Sequence, residues 1–356
     1  MNKSKVIGLL IVWVVLLSFA VTGTASQDKS PVSVAGSYQI GFQFMDLTDT
    51  SREDRLLKAF VWYPALVAKD TPRPYPPDAS GAPYPLIIYS HGYGGAPTEA
   101  TSIIERLVSH GFVVAAVDHK DLDNPDLAIV NRPLDVLFLL NQLAALDADN
   151  PLAGMIDTDN VGVTGFSMGG YTTMMAGGAR FNPEYFKAWC ADHPDVEPDF
   201  YCDVIPNWDK IAAYHDQFAP ASSNASDDGL WSPLTNERIK AILPLAPCRA
   251  QYFGEEGLAN IRIPTFIVGA TDDESCPYDL DASYFYTHLG SPDRSLVTLQ
   301  KRTHILVIRE TPLLMQYETA FFGLHLQGKT DYAQYLTPDT ASAFRNATLD
   351  VHTEDS

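Results

Sequence analysis

Short, mostly apolar runs recur along this chain and alternate with stretches whose apolar positions return every three or four residues. Leu86–Ser90, Phe112–Val117, Val161–Phe166, Ile239–Leu245, Ile263–Gly269 and Ser295–Leu299 are runs of the first kind. Their length and apolarity predict strands buried on both faces, as in a parallel sheet. Between them lie stretches of the second kind. Thr98–His110 carries Ile103, Ile104, Leu107 and Val108 at helical spacing and stops at Gly111, a suitable C-terminal cap. Pro133–Leu146, with proline at its start, Met168–Gly178, Tyr278–Leu289 and Thr311–Leu326 also read as helices. Ahead of this alternation, Tyr38–Asp46 and Leu56–Tyr63 read as an antiparallel hairpin around a polar turn, followed by a proline-rich stretch from Pro64 to Pro85. The whole predicts the α/β class: a mostly parallel sheet flanked by helices, with functional groups in loops beyond the carboxyl ends of the strands.

Two segments break the rhythm. Residues 180–236 are rich in aromatic residues, proline and aspartate, and read as a cap or lid inserted into the domain. Trp189, Phe200, Tyr201, Trp208, Tyr214, Phe218 and Trp231 could line a substrate groove or form the insertion's own core. At the N-terminus, Lys3 and Lys5 precede a 15-residue apolar run, Val6–Ala20, and then small residues with Gly23 and Ala25 before Ser26. That layout predicts a secretory signal peptide over residues 1–25, a single mature domain over residues 26–356, and a secreted or periplasmic protein. The run is short for a spanning helix, so no stable membrane span is expected after cleavage. Without that segment 22 basic residues face 44 acidic ones, a net charge of −22. Such a charge repels phosphate backbones, which argues against a nucleic-acid partner.

The chemistry centres on Gly165-Phe166-Ser167-Met168-Gly169, a G-x-S-x-G pattern set between an apolar strand and a small-residue helix. There the glycines permit a sharp turn that exposes the serine oxygen, as at the nucleophile of the α/β-hydrolase fold. A serine hydroxyl needs a base, and in this fold the acid and then the histidine follow the serine along the chain. The loop after Ile263–Gly269 offers Asp272, Asp273 and Glu274 in a row, and spacing alone does not choose among them; Asp273 is preferred, Asp272 second. Of nine histidines, His304 alone follows one further strand in the required order. The oxyanion donors would be the backbone N–H of Met168 and that of Tyr93, the latter in the glycine-rich loop His91-Gly92-Tyr93-Gly94-Gly95.

From about Val61 to His304 the chain resembles the extracellular α/β-hydrolases grouped with platelet-activating-factor acetylhydrolases and predicted dienelactone hydrolases. Cutinase-like polyesterases are more distantly similar. The resemblance rests on Val61-Trp62-Tyr63-Pro64-Ala65, the 90–95 loop, His110-Gly111-Phe112-Val113-Val114-Ala115, Arg132-Pro133-Leu134-Asp135-Val136, the 165–170 turn, Pro264–Gly269 with Asp273, and Thr303-His304. It implies a Ser167–Asp273–His304 triad with Tyr93 and Met168 as oxyanion donors, and it favours Asp273 over Asp272. Two positions depart from the pattern. Dienelactone hydrolases use a cysteine nucleophile where this chain has Ser167, and polyesterases place a tryptophan where it has Cys248.

The activity so implied is carboxylic-ester hydrolysis through an acyl-enzyme, with a small-molecule or lipid ester as substrate and neither metal nor organic cofactor. The alternatives are a phospholipase or platelet-activating-factor-acetylhydrolase-like activity, and a non-catalytic binding protein on the same fold. Four cysteines in an exported chain predict two disulfides, with three possible connectivities. Cys248 and Cys276 both follow neighbouring strands at the active-site end, and Cys190 and Cys202 are close in sequence. The expected pairing is therefore Cys190–Cys202 and Cys248–Cys276.

Overall fold

The computed structural model describes residues 30–67, 73–218 and 228–353. The expected signal peptide lies outside them, as does most of the polar tract 222–229 of the insertion. Among the described residues nine strands form a single sheet: β1 (Gln39–Asp49), β2 (Arg55–Ala65), β3 (Tyr84–Ser90), β4 (Val113–Val117), β5 (Ile156–Phe166), β6 (Ile239–Leu245), β7 (Thr265–Ala270), β8 (Arg294–Leu299) and β9 (Ala347–His352). Their order is β1-β2-β4-β3-β5-β6-β7-β8-β9. The six from β4 to β8 in this order run parallel, while the β1–β2 hairpin and β9 close the two edges antiparallel.

Each central strand divides its side chains between two cores, as the two-residue period of a strand requires. Leu86, Ile88, Val113, Ala115 and Val117 enter the larger cluster, and Ile87, Tyr89, Val114 and Ala116 the other. The helices are α1 (Thr101–Ser109), α2 (Ala128–Ala144), α3 (Met168–Ala176), α4 (Pro183–Asp192), α5 (Trp208–Phe218), α6 (Gly254–Leu258), α7 (Ala282–His288), α8 (His304–Arg309), α9 (Thr311–Gln327) and α10 (Pro338–Ala341). Residues of α2, α3 and α7 cover one face of the sheet, and those of α1 and α9 cover the other. The result is the three-layer arrangement of the α/β-hydrolase fold.

The helix expected to begin at Pro133 begins five residues earlier, at Ala128, and Pro133 lies inside it. A proline inside a helix leaves the carbonyl four residues back without its N–H partner. Here that carbonyl is Ile129 O, and the Tyr171 hydroxyl donates to it at 2.8 Å. A buried tyrosine from α3 thus replaces the missing backbone bond, which sequence periodicity could not reveal. The insertion after α3 keeps most of its aromatic residues for its own packing: Phe181, Phe186, Trp208 and Trp231 stack among themselves and on Tyr252 of the sheet domain.

Candidate active site

Five neighbouring parallel strands, β3, β5, β6, β7 and β8, deliver their C-terminal loops to one spot. The loop after β5 is the sharp turn. Ser167 has φ 59° and ψ −119°, a conformation that is strained for any residue with a Cβ. It is held there by its own N–H, which donates to Leu245 O of β6 at 2.8 Å. A side chain at Gly165 or Gly169 would run into the Ser90 carbonyl of β3, so both positions require glycine. The local sequence therefore serves to press the turn against its neighbour strands and push the serine out.

His304 opens α8, and its Nδ1 lies 2.8 Å from Asp273 Oδ2. The other carboxylate oxygen of Asp273 accepts the N–H groups of Ser275 and Cys276 at 2.9 and 2.7 Å. Asp273 is buried, whereas Asp272 is exposed and accepts only from the neighbouring Thr271 hydroxyl. Glu274 takes the backbone N–H of His304 at 3.1 Å, and that bond holds its carboxyl below the ordinary range. Phe166 packs against the His304 ring at 4.8 Å between centroids. Ser167, Met168, Tyr93 and His304 all line one cavity of about 530 Å³, with Phe166, Ile129 and Ile305 among its apolar walls.

The glycine-rich loop after β3 has an orderly division of its N–H groups. Gly92 donates to Glu99 Oε1 at 2.7 Å, Gly94 to Asp121 Oδ2 at 3.2 Å and Gly95 to Gly92 O at 3.0 Å. Among the described residues the N–H of Tyr93 has no partner, and neither has that of Met168 at the start of α3. Beneath the loop sits a wholly buried polar cluster of Ser90, His91, His119, Asp121, Arg132 and Asp135. Burial, with the charge of Arg132, pushes the His119 imidazole down to about 3; Asp135 lies at about 2, because bonds from His119 and Arg55 overcome its own burial. His119 is therefore neutral, donating from Nδ1 to Asp135 at 3.1 Å and accepting the Ser90 hydroxyl at Nε2, 2.9 Å away.

Cys248 is bonded to Cys276 and Cys190 to Cys202. The first bridge joins the loops after β6 and β7, and Cys248 Sγ is 3.9 Å from Ser167 Oγ. Of the seven insertion aromatics singled out above, Phe200 lines the cavity, beside Asp203 and Val204. Arg249, next to Cys248, lies against Phe200 and Tyr252 with its cation 5.0 and 5.1 Å from their ring centres. Sequence reasoning did not single out Arg132, Asp121, Glu99 or Arg249 for a role. The available signal was Arg132 and Asp135, two charges inside an otherwise apolar helical run. That 20-residue stretch, Pro125–Ala144, is apolar enough to span a membrane by length, but it is two-thirds buried within the fold.

A family model described as PETase, PET hydrolase-like, matches residues 73–235 and 226–354. The chain belongs to this family. It is 25% identical over 259 residues to cutinase 2 of Thermobifida cellulosilytica, covering 72% of this chain and 73% of that enzyme. Cutinase est1 of Thermobifida alba is also 25% identical, over 72% of this chain and 65% of its own length. A bis(hydroxyethyl) terephthalate hydrolase of Streptomyces coelicolor is 23% identical over 74% of this chain and 64% of its own. Several of the cutinases are spanned over only 60–65% of their own length. Family and relatives place the chain among carboxylic-ester hydrolases, and the similarity to cutinase-like polyesterases read from its motifs holds.

Proposed function

We propose that this protein is an exported serine esterase that works through an acyl-enzyme. In this reading Ser167 attacks the ester carbonyl while His304 takes its proton, and Asp273 holds the imidazole tautomer and stabilises its charged form. The tetrahedral oxyanion sits between the N–H groups of Tyr93 and Met168, both without another partner among the described residues. Loss of the alcohol, protonated by His304, leaves an acyl-Ser167 that water hydrolyses with His304 again as base. The observation that carries this reading is the 2.8 Å His304–Asp273 bond at the cavity whose wall includes the strained Ser167.

The cavity's aromatic and aliphatic walls suit the acyl or aryl part of an apolar ester. The names of the relatives, cutinases and a bis(hydroxyethyl) terephthalate hydrolase, point the same way. Residues 1–25 direct export in this reading, residues 26–356 form the hydrolase, and the insertion 180–236 acts as a cap that contributes Phe200 to the cavity wall. The test compares wild type with Ser167→Ala on p-nitrophenyl esters from C2 to C12. Loss of the nucleophile should lower kcat on the order of 10⁶-fold. Equal turnover by both proteins would remove Ser167 from the mechanism.

A further inference from the structure

A backbone N–H stabilises an oxyanion only if it points at the right place before the reaction and does not turn away to satisfy itself elsewhere. The peptide that carries the Tyr93 N–H is the one whose carbonyl belongs to Gly92. That oxygen is held from three sides: by Arg132 Nη2 at 3.0 Å, by His91 Nδ1 at 2.7 Å and by Gly95 N at 3.0 Å. Arg132 Nη1 also donates to the preceding carbonyl, His91 O, at 2.7 Å. The guanidinium is itself fixed by both oxygens of Asp121, at 2.8 Å from Nε and 2.7 Å from Nη2. Asp121 in turn accepts the N–H of Gly94, on the far side of Tyr93. Arg132 and Asp121 are both buried.

We infer that Arg132 and Asp121 are positioning residues for catalysis: a buried ion pair that sets the orientation of the Gly92–Tyr93 peptide and strengthens its N–H as the oxyanion donor. This rests on the serine-esterase reading above. Two physical effects are combined. Donation to the carbonyl end of an amide polarises it, and the opposite N–H becomes a better donor. The planar fork of arginine can span two successive carbonyls and a carboxylate at once, which the single ammonium of lysine cannot do. Asp121 answers the cost of a buried cation and keeps the fork in plane. Helix α2 supplies Arg132 from its buried face, so the donor loop is registered against the sheet and not only against itself.

The experiment uses the full chain, with Arg132→Lys, Asp121→Asn and Ser167→Ala beside wild type. It measures kcat and KM on p-nitrophenyl butyrate, and the inhibition constant of an arylboronic acid, whose adduct with a serine oxygen places a second oxygen among the donors. Folding of each variant is checked by near-ultraviolet circular dichroism, and Asp121→Asn, nearly isosteric, serves if Arg132→Lys does not fold. The expected result is a fall in kcat of about 10²-fold for Arg132→Lys and about tenfold for Asp121→Asn, against 10²–10³ for outright loss of an oxyanion donor. KM should stay close to wild type, and boronate affinity should weaken in step with kcat. Wild-type kcat in both variants with Ser167→Ala silent would overturn the clamp and leave the serine reading standing. Boronate affinity unchanged while activity falls only with the folded fraction would also overturn it. Turnover in Ser167→Ala would overturn both.

Discussion

The two sides of Ser167 are built by different means. On the side of the proposed oxyanion donors, the 91–95 loop is held by the buried charges Arg132 and Asp121 and by the exposed Glu99, backed by the neutral pair His91 and His119. On the side of the proposed acid and base, buried Asp273 in the loop after β7 and His304 at the start of α8 are held by backbone N–H bonds and by the Cys248–Cys276 bridge. Charges inside a fold are costly unless fully paired, so the bracing of the 91–95 loop depends on protonation state. A covalent bridge is indifferent to pH in this range but open to reductant. In the proposed mechanism the peptide that must stay fixed is thus braced from the core, and the histidine that exchanges protons stands at the cavity wall.

The largest break should come on the acid–base side. Asp273→Asn leaves the geometry but spoils the tautomer, and kcat should fall about 10⁴-fold; the same change at exposed Asp272 should leave kcat near wild type. Comparable losses at both positions would undo the assignment of the acid. Next, verified reduction of the bridge between Cys248 and Cys276, or the double Cys→Ser variant, should lower kcat about tenfold, since small misplacements of reacting groups cost up to about 10². Unchanged activity after reduction would show that backbone bonds alone hold the acid loop.

Acid should act on the other side. His91 and His119 are held below their ordinary value of 6.5, by burial first and then by the Arg132 charge, and His119 lies at about 3. The unfolded chain takes up these protons near pH 6.5 and the folded one only at lower pH, so the stability tied to His119 is lost as pH falls from 6.5 towards 3, and His91 acts in the same direction. Between pH 7 and 5 urea midpoints should lose more, or gain less, in wild type than in His119→Asn, a comparison in which oppositely acting buried carboxylates such as Glu318 cancel. A slope unaltered by that substitution would mean the donor side is not the acid-sensitive part.

The smallest expected effect lies deeper. Glu318 in α9 is buried, neither of its oxygens has a partner among the described residues, and burial lifts its carboxyl to about 8. The folded protein keeps a proton there that the unfolded chain releases above 4.5, so this group costs stability as pH rises from 4.5 to about 8. Glu318→Gln should raise Tm by a few degrees at pH 8 and by less at pH 5. A larger gain at pH 5 would contradict the buried, protonated state.

Much of this was legible before any coordinates. The apolar runs Leu86–Ser90, Phe112–Val117 and Ile239–Leu245 correspond closely to β3, β4 and β6, because a strand buried on both faces leaves a continuous apolar signature. Strand β9 was not anticipated: Ala347–His352 pairs at a sheet edge, with four of its six residues not buried, and shows no such run. The start of α2 was misplaced because a proline normally opens a helix, and the Tyr171 hydroxyl that lets Pro133 sit inside one lies 38 residues away in sequence.

By itself the sequence determined the strand–helix alternation, the glycines that force the turn at Ser167, and the order in which serine, carboxylate and histidine follow one another. These are local properties: a φ that only certain residues tolerate, a period, a position after a strand. Tertiary structure alone decided that Phe200 among seven aromatic residues reaches the cavity and that Arg132 in α2 grips the carbonyls of a loop some forty residues earlier, and it places Asp273, which spacing alone did not separate from Asp272, against the histidine. Each of those is a contact between distant segments, fixed by how buried charges find partners once the layers have closed, and such pairing leaves no period in the chain to read.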